Sequence, residues 1–204
     1  MLTTKQVLDQ IAAEVSPLLK RCGFRKSGRL WRRAANEGIV QVINLQGSVW
    51  NADTNGRCTI NAGIYVPRLA ELLGIGRVTD TPTDADCHLR VRPAMLDDGN
   101  DTWREFDTTK PPTIDRAITD LTNTLTQFAL PWIATHTTLA EIGRELQRTS
   151  EWWWAAACSL ALDDREAATN FLSLAIRNAS ATHAPHLRRW GAEHDLLTDR
   201  GGAI

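Results

Sequence analysis

Hydrophobic and polar positions change period several times along this chain, and each change marks an element. From Thr4 to Cys22 the apolar residues Leu8, Ile11, Val15, Leu18 and Cys22 recur three or four apart. That spacing lays one stripe along an amphipathic helix. Thr3 or Thr4 can cap it, since a threonine hydroxyl accepts from an orphan N–H of the first turn. Gly23 stands where a left-handed residue ends a helix. Pro17 falls inside the pattern and predicts a kink or break near Ser16, because proline has no amide hydrogen to give.

After Gly23 the period turns to two. Residues 29–33 and 38–46 flank a short Ala-Ala-Asn-Glu-Gly segment and predict a β-hairpin. Residues 47–56 hold Asn51, Asp53, Asn55 and Gly56, all turn formers. The run 57–66 then alternates without a break: Cys58, Ile60, Ala62, Ile64 and Val66 on one side, Thr59, Asn61, Gly63 and Tyr65 on the other. This is the pattern of a strand with two different faces. Pro67 closes it, and a turn or two of helix over 68–73 leads to Gly74. Residues 76–86, rich in Thr, Asp and Pro, predict an exposed loop. Residues 87–92 predict a fourth strand, 97–101 a turn, and 102–106 a fifth strand.

At Thr113 the helical period returns, with Ile114, Ile118, Leu121, Leu125, Phe128 and Trp132 on one stripe and Pro131 placed to bend or end it. Four more helical patterns cover 139–147, 151–162, 165–178 and 187–197. The Asp163-Asp164 turn predicts an antiparallel helix pair, similar to one tetratricopeptide-type unit but too little for an array. The expected fold is α+β: an antiparallel sheet of four or five strands with helices on one face, followed by a helical C-terminal extension. The expected domains are residues 1–135 and, packed on them, residues 136–204.

Composition narrows the function classes. With 43% hydrophobic and 23% charged residues the chain can bury a core. A formal net charge of −1 gives no global attraction to nucleic acid or an anionic membrane. Cys22, Cys58, Cys87 and Cys158 are scattered, without a C-x-x-C pair, and the opening residues carry no secretory apolar segment. The longest apolar stretch, residues 152–162, falls short of the roughly 20 residues a membrane helix needs. These features predict a cytoplasmic protein with reduced thiols, no membrane span, no metal and no cofactor.

Several segments together resemble a known family. They are Cys22-Gly23-Phe24-Arg25-Lys26-Ser27-Gly28-Arg29-Leu30-Trp31-Arg32-Arg33, Val42-Ile43-Asn44-Leu45-Gln46, residues 58–66, residues 86–92 and Asp101-Thr102-Trp103. Their order over roughly residues 5–133 is similar to that of the bacterial family called domain of unknown function 4304. The resemblance implies a compact α+β domain of bacterial origin and supplies no catalytic residue to carry over. Small families of this kind often include immunity partners of toxins, an association rather than a mechanism.

The most specific candidate site is the polar side of the sheet. If the strands pair in sequence order, Asn44 and Gln46 share a face with Thr59, Asn61 and Tyr65, and His88, Arg90 and Arg92 join from the next strand. Alternation alone would also produce a merely solvated face. Yet asparagine and glutamine are poor strand formers, and arginine's planar fork suits a carboxylate or phosphate. Two functions follow: a non-enzymatic protein-binding module, of the immunity type, or a small-ligand or nucleotide-binding protein that could be an enzyme. RNA binding is disfavoured, because Tyr65 is the one evident stacking ring on that face.

Other clusters carry less. Cys87 and His88 are adjacent on a strand and point to opposite faces, so they do not share a metal site. The acidic run from Asp80 to Asp86 lacks the glycine and terminal glutamate of a calcium loop and reads as solvent-exposed. Trp152, Trp153 and Trp154 span about 200° of helix arc, so their rings cannot all enter one core, and at least one belongs at a helix seam or contact surface. His183 and His186 read as solvated.

Overall fold

A computed structural model describes residues 2–75 and 78–197. Residues 76 and 77, where the long loop was expected to begin, lie outside the described residues. Two compact units divide the chain. The sheet-bearing unit runs to Tyr65 and resumes over Asp80–His136, while the helical unit takes Val66–Thr79 and the chain from Thr137 onward.

In the sheet-bearing unit the first helix, α1, spans Thr4–Arg21. Thr3 caps it reciprocally: Gln6 N–H donates to the Thr3 hydroxyl at 3.2 Å, and Thr3 N–H to Gln6 Oε1 at 2.8 Å. The break expected near Ser16 does not occur, and α1 is one helix through Pro17. Gly23, at φ +85°, turns the chain out so that Phe24 N–H reaches Leu19 O.

Six strands follow: β1 (Arg25–Ser27), β2 (Leu30–Ala34), β3 (Val40–Gly47), β4 (Asn55–Tyr65), β5 (Leu89–Val91) and β6 (Arg104–Asp107). Every pairing is antiparallel and the order is β1-β2-β3-β4-β5. The last strand was expected at the end of this row. It pairs instead with β4 over Asn55–Cys58, on the edge that β5 uses further along. Strand β1 has no counterpart in the sequence reading, since Arg-Lys-Ser carries no apolar alternation and all three residues are exposed.

The β3–β4 register sets Asn44 opposite Asn61 and Gln46 opposite Thr59. Side chains alternate along both strands, so Ile43, Leu45, Cys58, Ile60 and Ile64 share the other face and are fully or almost fully buried. Helix α1 and the later helix α4 (Pro111–Thr124) cover that face. Gln41 also lies there at 0% exposure, satisfied by donating to Ile133 O at 3.1 Å and accepting from Arg33 Nε at 2.7 Å. Between α4 and α5 (Leu130–Ala134) a single π turn over Leu125–Ala129 inserts an extra residue. It precedes Pro131, whose missing N–H frees a carbonyl one turn back. The expected stripe therefore shifts phase, and Ala129 and Ile133 are buried where Phe128 and Trp132 are only half-buried.

The helical unit contains α2 (Pro67–Leu73), α6 (Leu139–Arg148), α7 (Trp152–Ala161), α8 (Arg165–Asn178) and α9 (Ala184–Glu193). Helix α7 packs on α6, α8 and α2 and buries Ala155, Ala156, Ala157, Cys158 and Ser159. The tryptophans divide among seams as their arc requires: Trp152 stacks on Phe171 at 6.1 Å, and Trp153 meets His183, His186 and Trp190 edge-on. Trp190 Nε1 donates to Leu72 O at 2.6 Å, which ties α9 to α2. A short α3 (Met95–Asp98) belongs to the sheet-bearing unit.

Candidate functional site

The polar face is organised around a residue that the sequence reading assigned to solvent. Asp84 stands in a single 3-10 turn, Asp84–Asp86, held at its start by Thr83. Thr83 N–H and its hydroxyl both donate to Asp86 Oδ2 at 2.7 Å, which lowers the Asp86 pKa. Arg32 Nε anchors the same loop by donating to Pro82 O at 2.6 Å. So fixed, the turn directs Asp84 onto the sheet, and its side chain is only 13% exposed. The expectation that residues 80–86 are all solvent-exposed is therefore corrected at Asp84.

Three donors converge on it. Asn44 Nδ2 donates to Oδ1 at 2.8 Å, Asn61 Nδ2 to Oδ2 at 3.1 Å, and Arg90 Nη2 to Oδ2 at 3.3 Å. Asn61 Nδ2 also donates to Gln46 Oε1 at 2.8 Å, and its own Oδ1 accepts from Arg92 Nε at 3.4 Å. Arg92 continues the chain outward by pairing with Asp101, to which Trp103 Nε1 also donates. The guanidinium groups of Arg92 and Arg57 lie 5.1 and 5.9 Å from the Trp103 ring centroid. These are cation–π distances.

The eight residues singled out from the sequence thus fall into two groups. Asn44, Gln46, Asn61, Arg90 and Arg92 form one network, with Thr59 buried opposite Gln46. Tyr65 and His88 form a separate stack, ring centroids 5.4 Å apart, at 2% and 8% exposure. Burial pushes the His88 pKa down to about 4, so the imidazole is neutral at physiological pH. Asp84, Asp101, Trp103 and Arg57 were not among the candidates. Asp101 and Trp103 were visible only as part of a familiar string, and no local signal turns Asp84 inward.

Beside the network lies a depression of about 360 Å³, bounded by Asn61, Arg90, Arg92, Met95 and Asp101. Met95 and Leu96 are 43% and 44% exposed. The nearby thiols are unsuited to nucleophilic work, because burial pushes Cys58 up to about 12 and raises Cys87 further. Among the described residues no three His, Cys, Asp or Glu side chains gather as a metal site would need. Nor is any helix among them long and apolar enough to cross a membrane.

No curated protein and no solved structure matches this chain. A family model does, over residues 15–135, which takes in the C-terminal part of α1, all six strands and the helix ending in α5. That match covers more than half of the chain, and the protein belongs to the family described as Domain of unknown function (DUF4304).

Proposed function

We propose that this chain is a non-enzymatic protein-binding module, of the kind by which an immunity protein neutralises its partner. It meets that partner at the outer end of the polar face, through Arg90, Met95 and Leu96. The observation that carries this reading is the satisfaction of the inner network. Asn44, Asn61 and Arg90 already hold the Asp84 carboxylate, so a small anionic ligand would have to displace a charge that the fold supplies itself. A shallow depression flanked by an exposed methionine, an exposed leucine and an arginine braced at one end suits a protein surface better than an enclosed pocket does. Arginine, methionine and aromatic residues are those enriched in such interfaces.

The test is affinity capture from a lysate of the source cells with tagged wild type and with an Arg90→Ala/Met95→Asp double variant. Both substituted side chains are exposed, so melting temperature should hold while a captured protein is lost. Equal capture by both proteins, or capture of nothing, would sink the proposal.

A further inference from the structure

At the opposite edge of the sheet, α1 and strands β1 and β2 enclose a groove of about 770 Å³. Its floor is Trp31, 1% exposed and locked by donating its Nε1 hydrogen to Ser16 Oγ at 3.2 Å. Ala13 and Pro17 form the apolar wall on α1. The rim holds Lys20, Arg25 and Lys26, and no acidic side chain lines the groove. Among the described residues none of these three cations makes an ion pair. Lys26 instead sits over the Trp31 ring, its Nζ 5.8 Å from the centroid.

The backbone beside this groove has bonding capacity to spare. Leu45 N–H donates to Arg29 O at 2.9 Å and Ala35 N–H to Ile39 O at 2.8 Å, so the odd-numbered residues flanking and within β2 turn their backbone groups toward β3. Antiparallel strands alternate the direction of these groups residue by residue. Leu30 and Arg32 therefore bond β1 through their partners Ser27 and Arg25. The N–H and C=O of Lys26 are left pointing away from the sheet, at an edge that no strand covers. On the facing wall Pro17 has no amide hydrogen to give the Ala13 carbonyl.

We infer that this groove binds an extended acidic peptide segment, which pairs its main chain with Lys26 on β1 and sets its carboxylates against Lys20, Arg25 and Lys26. Strand addition at a free edge supplies the backbone bonds, and alternate side chains supply the selectivity. One apolar side chain of the segment packs on the exposed Ala13–Pro17 wall, above the closed floor at Trp31. Charge selects the occupant: three cations without a counter-charge around an apolar floor favour an acidic chain over a basic or a neutral one. This surface is independent of the one at Arg90 and Met95.

The probe is a short fluorescein-labelled peptide of glutamates around one central leucine, which carries carboxylates on both faces of an extended chain, titrated by fluorescence anisotropy into the full chain. Saturable binding that weakens as salt is raised is expected, with the lysine–leucine counterpart not binding. A Lys20→Glu/Lys26→Glu variant should nearly keep its melting temperature and bind at least about tenfold more weakly. A peptide with proline beside its central leucine, unable to extend the sheet, should also lose affinity. Equal binding of the acidic and basic peptides overturns the inference. So does undiminished binding by the double variant, or binding of a free aromatic carboxylate where the peptide fails. Self-association of the double variant without any peptide binding by wild type would show that Lys26 only guards the edge, and would overturn it too.

Discussion

At the β5 edge of the sheet Arg90 and Arg92 reach carboxylates of their own chain, Asp84 and Asp101, whereas at the β1 edge Lys20, Arg25 and Lys26 reach none. The two edges belong to one sheet and both are rich in cations, yet those of the first are paired within the fold and those of the second are not. The cause lies in the connections. The segment entering β5 carries a 3-10 turn that sets Asp84 on the polar face. The two-residue link between β1 and β2, Gly28-Arg29, is too short to bring back any acidic residue. A charge satisfied within the fold contributes to stability, and one left unpaired at the surface is available to a partner.

The most forceful way to break this contrast is to remove the central carboxylate. Asp84→Ala removes the side-chain acceptor of Asn44 and leaves the almost fully buried Asn61 amide with Gln46 Oε1 alone, and a loss of about 2–3 kcal/mol is expected in urea unfolding. Asp84→Asn, which keeps the shape but not the charge, should cost roughly half of that.

Acid should separate the Asp84 network from the Tyr65–His88 stack beside it. The folded pKa of His88 is depressed to about 4 from an ordinary 6.5, so the unfolded chain binds the proton more readily. The stability this group contributes is complete above pH 6.5 and is lost as pH falls from there toward 4. The loss should reach roughly 2–3 kcal/mol, from a shift of about 1.4 kcal/mol per pH unit. His88→Phe should flatten that part of the pH profile, and an unchanged slope in this variant would show that the titration belongs elsewhere.

Smaller effects sharpen the comparison. Arg90→Ala removes a half-exposed partner of Asp84 and should cost no more than about 1 kcal/mol. Its melting temperature should barely move even where partner capture fails. Lys20→Glu and Lys26→Glu should change stability least, by no more than about 0.5–1 kcal/mol each, because Lys20 only complements the last turn of α1 and Lys26 only approaches the Trp31 ring from the surface. A marked loss of stability in these lysine variants, seen in the same urea titration, would mean that the β1 edge is structural and not a docking surface.

Much of the fold is legible in the periodicity. The helical stripe before Cys22, the alternation over 57–66 and the pattern after Thr113 each repeat often enough for burial to dictate one face. Three features escape it. Strand β1 has three exposed polar residues and exists because a glycine turn, with Gly28 at φ +63°, folds it onto β2. The π turn before Pro131 adds one residue and moves burial from Phe128 to Ala129. Helix α2 looks like an appendage of the sheet, yet it sits in the helical unit, where Leu72 O receives Trp190. The candidate site was legible in the same partial way. Asn44, Gln46, Asn61, Arg90 and Arg92 share a face because side chains alternate, a local rule. Asp84 could not be found by it.

What the sequence by itself determined is therefore the set of faces: which residues of each helix and strand point together, since that follows from backbone geometry alone. Only the tertiary structure decided which polar groups are answered. Whether a carboxylate tens of residues away closes on an asparagine depends on loop placement, and loop placement leaves no period in the sequence. That is why Asp84 and Lys26, equally plain as surface charges in the sequence, end as the centre of a satisfied network and the rim of an open groove.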